Sequence, residues 1–355
     1  PQPALDLASA LWLVGQACLD RMLSAIGLSL GLLLPGHGNG LVARETRLAR
    51  DTRLAIVSRP PPEGFTWADE DIASAPAAPA ASAAEPAGSA GPVSPERVTV
   101  LQDASAVAAS VAARVEAAAE AAIAERGHFA LAIPGGSVLK MLQSSPSFAD
   151  RTTLAYVNHK AVPMDDASLA THAKAGKLFL DTWAGTNAIV MRGTADAAAE
   201  AETYEAALRA LSPEVLPRSP DGLPVFDMML VGVGDDGHVG SLYPGRDEVA
   251  DATGRWVLPV EMKVPGSITL SLPVMAAAKE VVIAACGVSD KYPKGKSAAM
   301  ARAIEGDETP QTFPAVGLRG VATWVVDAAA ASTLSFEYAE CFALASSRGD
   351  CCPPA

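Results

Sequence analysis

The sequence is poor in the residues that build disulfide frameworks, metal clusters and nucleic-acid surfaces. It has five cysteines in 355 residues and none falls in a CxxC pair, so neither a disulfide scaffold nor a zinc site is indicated, and a reducing compartment is the simpler expectation. Basic residues are also scarce: 27 Lys and Arg stand against 40 Asp and Glu, which gives a formal net charge of −13. We therefore expect no nucleic-acid partner.

The chain also lacks an apolar run long enough to cross a membrane. The uninterrupted run that ends at Leu34 is shorter than the ~20 residues that a spanning helix requires, so we expect no membrane span. An Arg-rich segment follows it, and an apolar core with such a segment is typical of a two-part plastid-targeting leader. Glu45 and Asp51 are unusual in transit peptides, and an amphipathic extension without a targeting role is the alternative.

Composition divides the chain into four regions. Residues 1–72 form the N-terminal extension, which we expect to be largely disordered and, if it is a leader, to direct the protein to the plastid stroma rather than leave it in the cytoplasm. Residues 73–94 consist almost wholly of Ala, Pro, Ser and Gly, a composition that predicts a linker because large apolar side chains are missing. Residues 95–335 form the module that we expect to fold, and 336–355 form a tail without assignment. We expect a monomer or a weak homo-oligomer.

Within the module, predicted strands alternate with predicted helices, which indicates an α/β sheet flanked by helices. The predicted strands are 98–101, 129–133, 154–157, 228–231, 256–260, 281–286 and 322–327, and the clearest helices are 104–126, 195–211 and 297–304.

The most informative stretch begins at the apolar run 228–231, which has the length and composition of a buried parallel strand. Gly232 and Gly234 end the strand, Asp236 and Gly237 follow in a tight turn, and His238 comes next. Open α/β sheets place their chemistry just past the carboxyl ends of strands. Histidine titrates near neutral pH, so His238 is a candidate general base. Asp235 and Asp236 are both near enough in sequence to orient its ring, and Asp236 is the expected catalytic partner. The glycines let backbone N–H groups approach a ligand.

A second loop after a predicted strand, Gly135-Gly136-Ser137, precedes a predicted helix at 138–142. Such a junction presents unpaired N–H groups that suit a phosphate or an oxyanion. In a parallel sheet both loops lie at the same edge.

The stretch 232–245, GVGDDGHVGSLYPG, resembles the GxGxDGHxxSLFPG signature of the 6-phosphogluconolactonases. The related glucosamine-6-phosphate isomerase/deaminases continue after the histidine with Phe-Asn-Glu-Pro, whereas this chain has Ser241-Leu242-Tyr243-Pro244. The resemblance covers roughly 95–335 and favours the lactonase branch. It implies a Rossmann-like, mostly parallel sheet, no cofactor and no metal, and a small sugar phosphate lactone as the partner molecule.

The resemblance also suggests how the substrate is held, and the chain departs from the family there. Gly135-Gly136-Ser137 resembles the family's GGSTP loop, whereas Asn158-His159-Lys160 stands in place of Asp-Glu-Arg and Ser267 in place of a second arginine. The residues expected to bind substrate are Gly135, Gly136, Ser137, Lys160, Gly234, Gly237, Lys263, Lys296 and Arg319.

The implied reaction is hydrolysis of 6-phospho-D-glucono-1,5-lactone to 6-phosphogluconate in the oxidative pentose phosphate pathway. The replacement of Asp-Glu-Arg, the loss of the second arginine at Ser267 and the long extension leave open a catalytically impaired subunit that binds sugar phosphates or another protein. A hexosamine-6-phosphate isomerase/deaminase is a further alternative. His159 is either a ligand contact or a structural residue, and His172 is expected to be a solvated helical residue.

Overall fold

The structure is a computed structural model that describes residues 91–142, 146–287 and 295–335. The predicted extension, most of the predicted linker and the predicted tail lie outside these residues, as do Lys291 and Lys294 of the loop before Lys296. The packed domain begins by Val93, which is buried and whose N–H donates to the carbonyl of Ile304. None of the helices in the described ranges is long and apolar enough to cross a membrane.

The described part of the chain contains ten strands and five α-helices. The strands are β1 Val98–Leu101, β2 Phe129–Ile133, β3 Thr152–Tyr156, β4 Asn158–Lys160, β5 Asn187–Ala188, β6 Met228–Val231, β7 Val257–Val260, β8 Ser267–Leu270, β9 Glu280–Ala285 and β10 Ala322–Asp327. The helices are α1 Ala104–Arg126, α2 Thr171–Leu178, α3 Ala197–Arg209, α4 Leu272–Ala276 and α5 Ser297–Ile304, and the predicted helix at 138–142 is a 3₁₀ segment, Ser137–Leu142.

Seven strands form one parallel sheet in the order β1-β10-β9-β6-β2-β3-β5. Every residue of β2, β3 and β6 is buried, as expected for strands covered on both faces. From β2 the chain moves outward through β3 to β5, then returns to the other side of β2 with β6. The topological switch point therefore lies between β2 and β6, where ligands bind in open α/β sheets.

Helix α1 shows how local sequence sets the boundaries of these elements. The carboxylate of Asp103 accepts a hydrogen bond from the N–H of Ala106 at 2.9 Å, which satisfies one of the unpaired donors of the first turn. Gly127 ends the helix at φ 80°, a left-handed conformation that glycine adopts without strain. The sequence prediction of 104–126 is confirmed.

A second, antiparallel sheet of β4, β8 and β7 was not predicted. Its first strand is Asn-His-Lys, which has no apolar alternation to reveal it, and cross-strand hydrogen bonds with β8 define it instead. Val157 joins the two sheets: its N–H donates to Ile133 of β2, and its carbonyl accepts from Leu270 of β8, both at 2.8 Å.

Candidate active site

His238 and Asp236 form a hydrogen-bonded pair just beyond the carboxyl end of β6. The Nδ1 of His238 lies 2.6 Å from Oδ1 of Asp236, and the backbone N–H of His238 donates to the same oxygen at 3.2 Å. Because a carboxylate only accepts, the neutral ring carries its proton on Nδ1, which makes Nε2 the basic nitrogen of the ring. The side chains are 25% and 53% exposed respectively, so solvent reaches the pair.

The electrostatics of the pair favour an ionised aspartate. Partial burial raises the pKa of Asp236, but the hydrogen bonds from His238 and the charge of its ring outweigh burial and hold the pKa below its ordinary value. The carboxylate can therefore stabilise an imidazolium on His238 when the ring takes up a proton.

Two glycines allow this turn to close. A Cβ on Gly234 would overlap Cε1 and Nδ1 of His238, so the ring lies directly against bare backbone. Gly237 has φ 85°, and a Cβ there would overlap the ring of Phe313. The turn itself is held by hydrogen bonds from Gly234 N–H to the carbonyl of His238 and from Gly237 N–H to the carbonyl of Gly234. Glycine at these positions is thus a steric requirement of the site.

Asn158 joins the Gly135 loop to the His238 loop. Its Oδ1 accepts from the N–H of Gly135 at 3.5 Å, and its Nδ2 donates to the hydroxyl of Ser241 at 3.2 Å. Gly136 and Ser137 are exposed beside this bridge. Asn158 thus links the Gly135-Gly136-Ser137 loop to the loop that carries His238 and Ser241. The sequence interpretation treated Asn158 only as a lost acid, although a polar residue just past a strand end was a signal for this role.

Two of the predicted lysines also converge here. Nζ of Lys263 lies 4.4 Å from the ring centroid of Tyr243, and that ring lies 4.9 Å from the ring of His238. Lys160 donates from Nζ to the carbonyl of Pro265 at 3.2 Å, in the loop that carries Lys263. Burial and the neighbouring charge of Lys263 lower the pKa of Lys160. Lys263 is therefore linked to His238 through the ring of Tyr243, and Lys160 lies near Lys263.

Lys296 and Arg319 occupy different positions. Lys296 is 9% exposed, and its Nζ donates at 2.6 Å to the carbonyl of Val233, inside the loop that leads to His238. Arg319 is buried at the opposite end of α5, where its guanidinium donates to the carbonyls of Arg302, Ala303 and Gly306. Lys296 thus touches the active-site loop, whereas the guanidinium of Arg319 caps the C-terminal end of α5.

The remaining histidines near the site are structural. His159 is 1% exposed, its Nε2 accepts from the N–H of His172 at 3.1 Å, and its Nδ1 donates to the carbonyl of Lys160 at 2.7 Å. Burial lowers the pKa of His159 to about 4, so the ring is neutral at ordinary pH. The expectation that His172 is solvated is wrong, because it is half-buried and its Nδ1 lies 2.6 Å from the hydroxyl of the fully buried Tyr156.

The fold and the site together define a class: an α/β protein with a histidine–carboxylate pair, a glycine-rich loop and lysines at the switch point of a parallel sheet. Among the described residues, no group of three or more His, Cys, Asp or Glu side chains is arranged to hold a metal ion.

Comparison with known proteins narrows this class to a family. Residues 102–326 match the family described as glucosamine-6-phosphate isomerases/6-phosphogluconolactonase. The chain belongs to this family.

Individual relatives agree with this assignment. The chain is 31% identical over 266 residues to a 6-phosphogluconolactonase of Rattus norvegicus, across 69% of this chain and 96% of that protein. It is 29% identical over 231 residues to the probable chloroplastic 6-phosphogluconolactonase 3 of Oryza sativa subsp. indica, across 60% of this chain and 68% of the relative. A solved 6-phosphogluconolactonase from Trypanosoma brucei superimposes with a TM-score of 0.55 at 22% identity, across 67% of this chain and 98% of that one, which concerns the fold alone.

Proposed function

We propose that this protein hydrolyses 6-phospho-D-glucono-1,5-lactone to 6-phosphogluconate, with His238 as the general base. The single observation that carries the proposal is the His238–Asp236 pair, bonded at 2.6 Å. The contacts of its loop with the Gly135 loop through Asn158 and with Lys263 through Tyr243 support it. The names of the relatives support the choice of substrate.

The reaction follows from the chemistry of these groups. Nε2 of His238 removes a proton from a water molecule, and the water oxygen attacks the lactone carbonyl carbon. The ring C–O bond then breaks, and the imidazolium returns the proton to the ring oxygen as it leaves. Asp236 stabilises the imidazolium meanwhile. N–H groups of the Gly135-Gly136-Ser137 loop are suited to the oxyanion, and Lys160 and Lys263 to the phosphate.

The departures from the family pattern do not make the site less positive. Where the family pattern carries two acids and two arginines, this chain has Asn158, His159, Lys160 and Ser267. The pKa of about 4 leaves His159 uncharged at neutral pH. Relative to the family pattern, the site therefore lacks both carboxylates and one of the two cations. Lys160 has no acidic residue within its own strand. This supports a working phosphate site over an impaired one.

The test is the rate of hydrolysis of freshly generated lactone by the purified protein. We expect a rate well above the spontaneous one, and a fall on the order of 10²–10⁴ in kcat for His238→Ala. A wild-type rate equal to the spontaneous rate, with retained binding of 6-phosphogluconate, would instead identify a binding subunit. Turnover of glucosamine-6-phosphate would identify the deaminase alternative.

Function in the oxidative pentose phosphate pathway and in the plastid belongs to the same proposal. The chloroplastic relatives from rice and Arabidopsis thaliana support the plastid over the cytoplasm. The full chain fused to a fluorescent protein, compared with a chain that lacks residues 1–72, tests the location: the full chain should enter plastids and the shortened chain should stay in the cytoplasm.

A further inference from the structure

Tyr243 lies between the general base and a lysine of the proposed phosphate site, and the reaction described above gives it no role. Its ring centroid is 4.9 Å from that of His238, with 39° between the planes, and 4.4 Å from Nζ of Lys263. The residue is only 8% exposed. One aromatic ring thus contacts both the base and a cation.

The ring is a fixed surface. Tyr243 follows the fully buried Leu242, whose N–H donates to the carbonyl of Val239 at 2.9 Å. Two residues later, the N–H of Gly245 donates to the carbonyl of Gln311 at 2.8 Å. With its backbone tied on both sides and only two side-chain torsions, the ring has little freedom to move.

Lys263, in contrast, needs an external support. It is exposed in the loop between β7 and β8, where its neighbours Met262 and Val264 are 48% and 100% exposed. A long side chain on such a loop loses rotamer entropy when it adopts one position, and that cost must be offset by a contact. The face of Tyr243 supplies a cation–π contact. It holds the ammonium close enough to Lys160 for the two charges to interact.

We propose that Tyr243 is a positioning residue of this site. Its ring holds the ammonium of Lys263 beside Lys160, where both receive the substrate phosphate, and its packing fixes the imidazole of His238 over the reacting carbonyl. The aromatic ring serves both roles, and the hydroxyl group of Tyr243 is not required for either. The proposal rests on the lactonase function proposed above. It adds a residue that contacts both a lysine of the phosphate site and the general base.

The kinetic test compares Tyr243→Phe, which keeps the ring, with Tyr243→Leu, which removes it. The Phe variant should keep KM and kcat within about twofold. The Leu variant should raise KM about threefold to fivefold, the equivalent of one surface cation–π contact. It should lower kcat on the order of tenfold through misplacement of His238.

A double variant separates the two effects. Lys263→Met alone should raise KM, and Tyr243→Leu added to it should raise KM no further while still lowering kcat. If the two KM effects multiply, if the Phe variant fails as badly as the Leu variant, or if Tyr243→Leu lowers kcat alone, Tyr243 does not position Lys263 and the proposal is overturned.

If the Leu variant does not fold, a measurement on the wild-type chain still tests the contact. This measurement does not depend on enzyme activity. After ¹³C-dimethylation of lysines, the signal that disappears in Lys263→Met should lie upfield of the other lysine signals because of the ring current of Tyr243, and should stay there in Tyr243→Phe. A Lys263 signal among those of solvated lysines would refute the contact. If the lactone test fails while this signal is shifted, the proposed function falls and the positioning contact stands.

Discussion

Lys160 lies directly opposite Ser267 in the antiparallel pair of β4 and β8. The family pattern carries arginine at both of these positions. Cross-strand partners project from the same face of a sheet, so two such arginines would lie side by side. Only one of the two positions thus carries a cation in this chain, and in the proposed site Lys263 from the loop between β7 and β8 is the second cation.

We expect Lys160→Met to raise KM for the lactone about tenfold to a hundredfold with little change in kcat. A hydrogen bond to a charged group contributes about 1.5–3 kcal/mol, and this one acts on the phosphate before and during the reaction alike. Lys177→Met, which removes an exposed lysine from the last turn of α2, is the matched control and should leave KM unchanged. Equal effects of the two variants would show that only overall charge matters.

Asp236→Asn should lower kcat by roughly tenfold to a hundredfold while KM stays within about twofold. The amide can still accept from the ring of His238, but it cannot offset the positive charge that the ring gains as general base. Asp235→Asn is the control, because it removes the same charge from the neighbouring exposed residue. Steady-state kinetics on both variants checks this, and a loss shared by Asp235→Asn would contradict a specific role for Asp236.

Gly234→Ala should abolish most of the activity, whereas Gly232→Ala should be close to wild type. A Cβ on Gly234 would overlap the ring of His238, but a Cβ on Gly232 would meet only Cγ2 of Val138 at 3.8 Å, an ordinary contact. A displaced base of this kind costs on the order of 10² in kcat. The comparison of kcat for the two variants, with thermal melts to confirm folding, decides whether ring position or loop flexibility matters.

The stability of the domain should depend on pH through His159. Burial lowers its pKa to about 4 in the folded protein, against about 6.5 in the unfolded chain. Between these values the unfolded chain binds more protons, so the free energy of unfolding falls as pH falls from about 6.5 to about 4, by up to about 3 kcal/mol.

His159→Gln removes this titration, and urea unfolding at about pH 7 and about pH 4.5 measures the effect. The variant should be less stable than wild type near neutrality but lose less stability on acidification. An equal loss in both proteins would assign the acid sensitivity to other groups, such as His172, whose pKa burial also lowers.

Arg319→Met should lower stability by about 2–4 kcal/mol, because three carbonyls at the end of α5 lose charged donors. KM should stay within about twofold, and Arg319→Lys should recover part of the stability. Denaturant unfolding and KM are the two measurements. A large rise in KM without loss of stability would return Arg319 to the substrate-binding residues.

Much of the fold follows from patterns in the sequence, and the parts that do not follow have identifiable causes. The strand 228–231 and the helix 104–126 were predicted with the bounds that the structure has, because an apolar run and the cap at Asp103 act locally. β4 and β5 escaped prediction, since Asn158–Lys160 and Asn187–Ala188 pair through backbone hydrogen bonds that side-chain periodicity does not report. Strand β7 was predicted at 256–260, but its pairing in a separate small sheet was not.

The candidate site shows the same division. The pairing of His238 with Asp236 was predicted, because a tight glycine turn brings side chains two positions apart into contact. The positions of Asn158, Tyr243 and Arg319 depend on which loops meet across the crevice. Such contacts span tens of residues along the chain, and a single sequence does not encode them in any local pattern.

Val157 is hydrogen-bonded to a strand of each sheet, and this has a consequence for the choice of substrate. The base is carried by the seven-stranded sheet and the lysine pair by the three-stranded sheet and its loop, and backbone bonds through this one residue tie the two sheets together. The spacing between the imidazole and the ammonium groups is then set by the fold rather than by a closing motion around the ligand. Under the proposed binding mode, we expect phosphorylated lactones one carbon shorter to contact either the lysines or the base but not both.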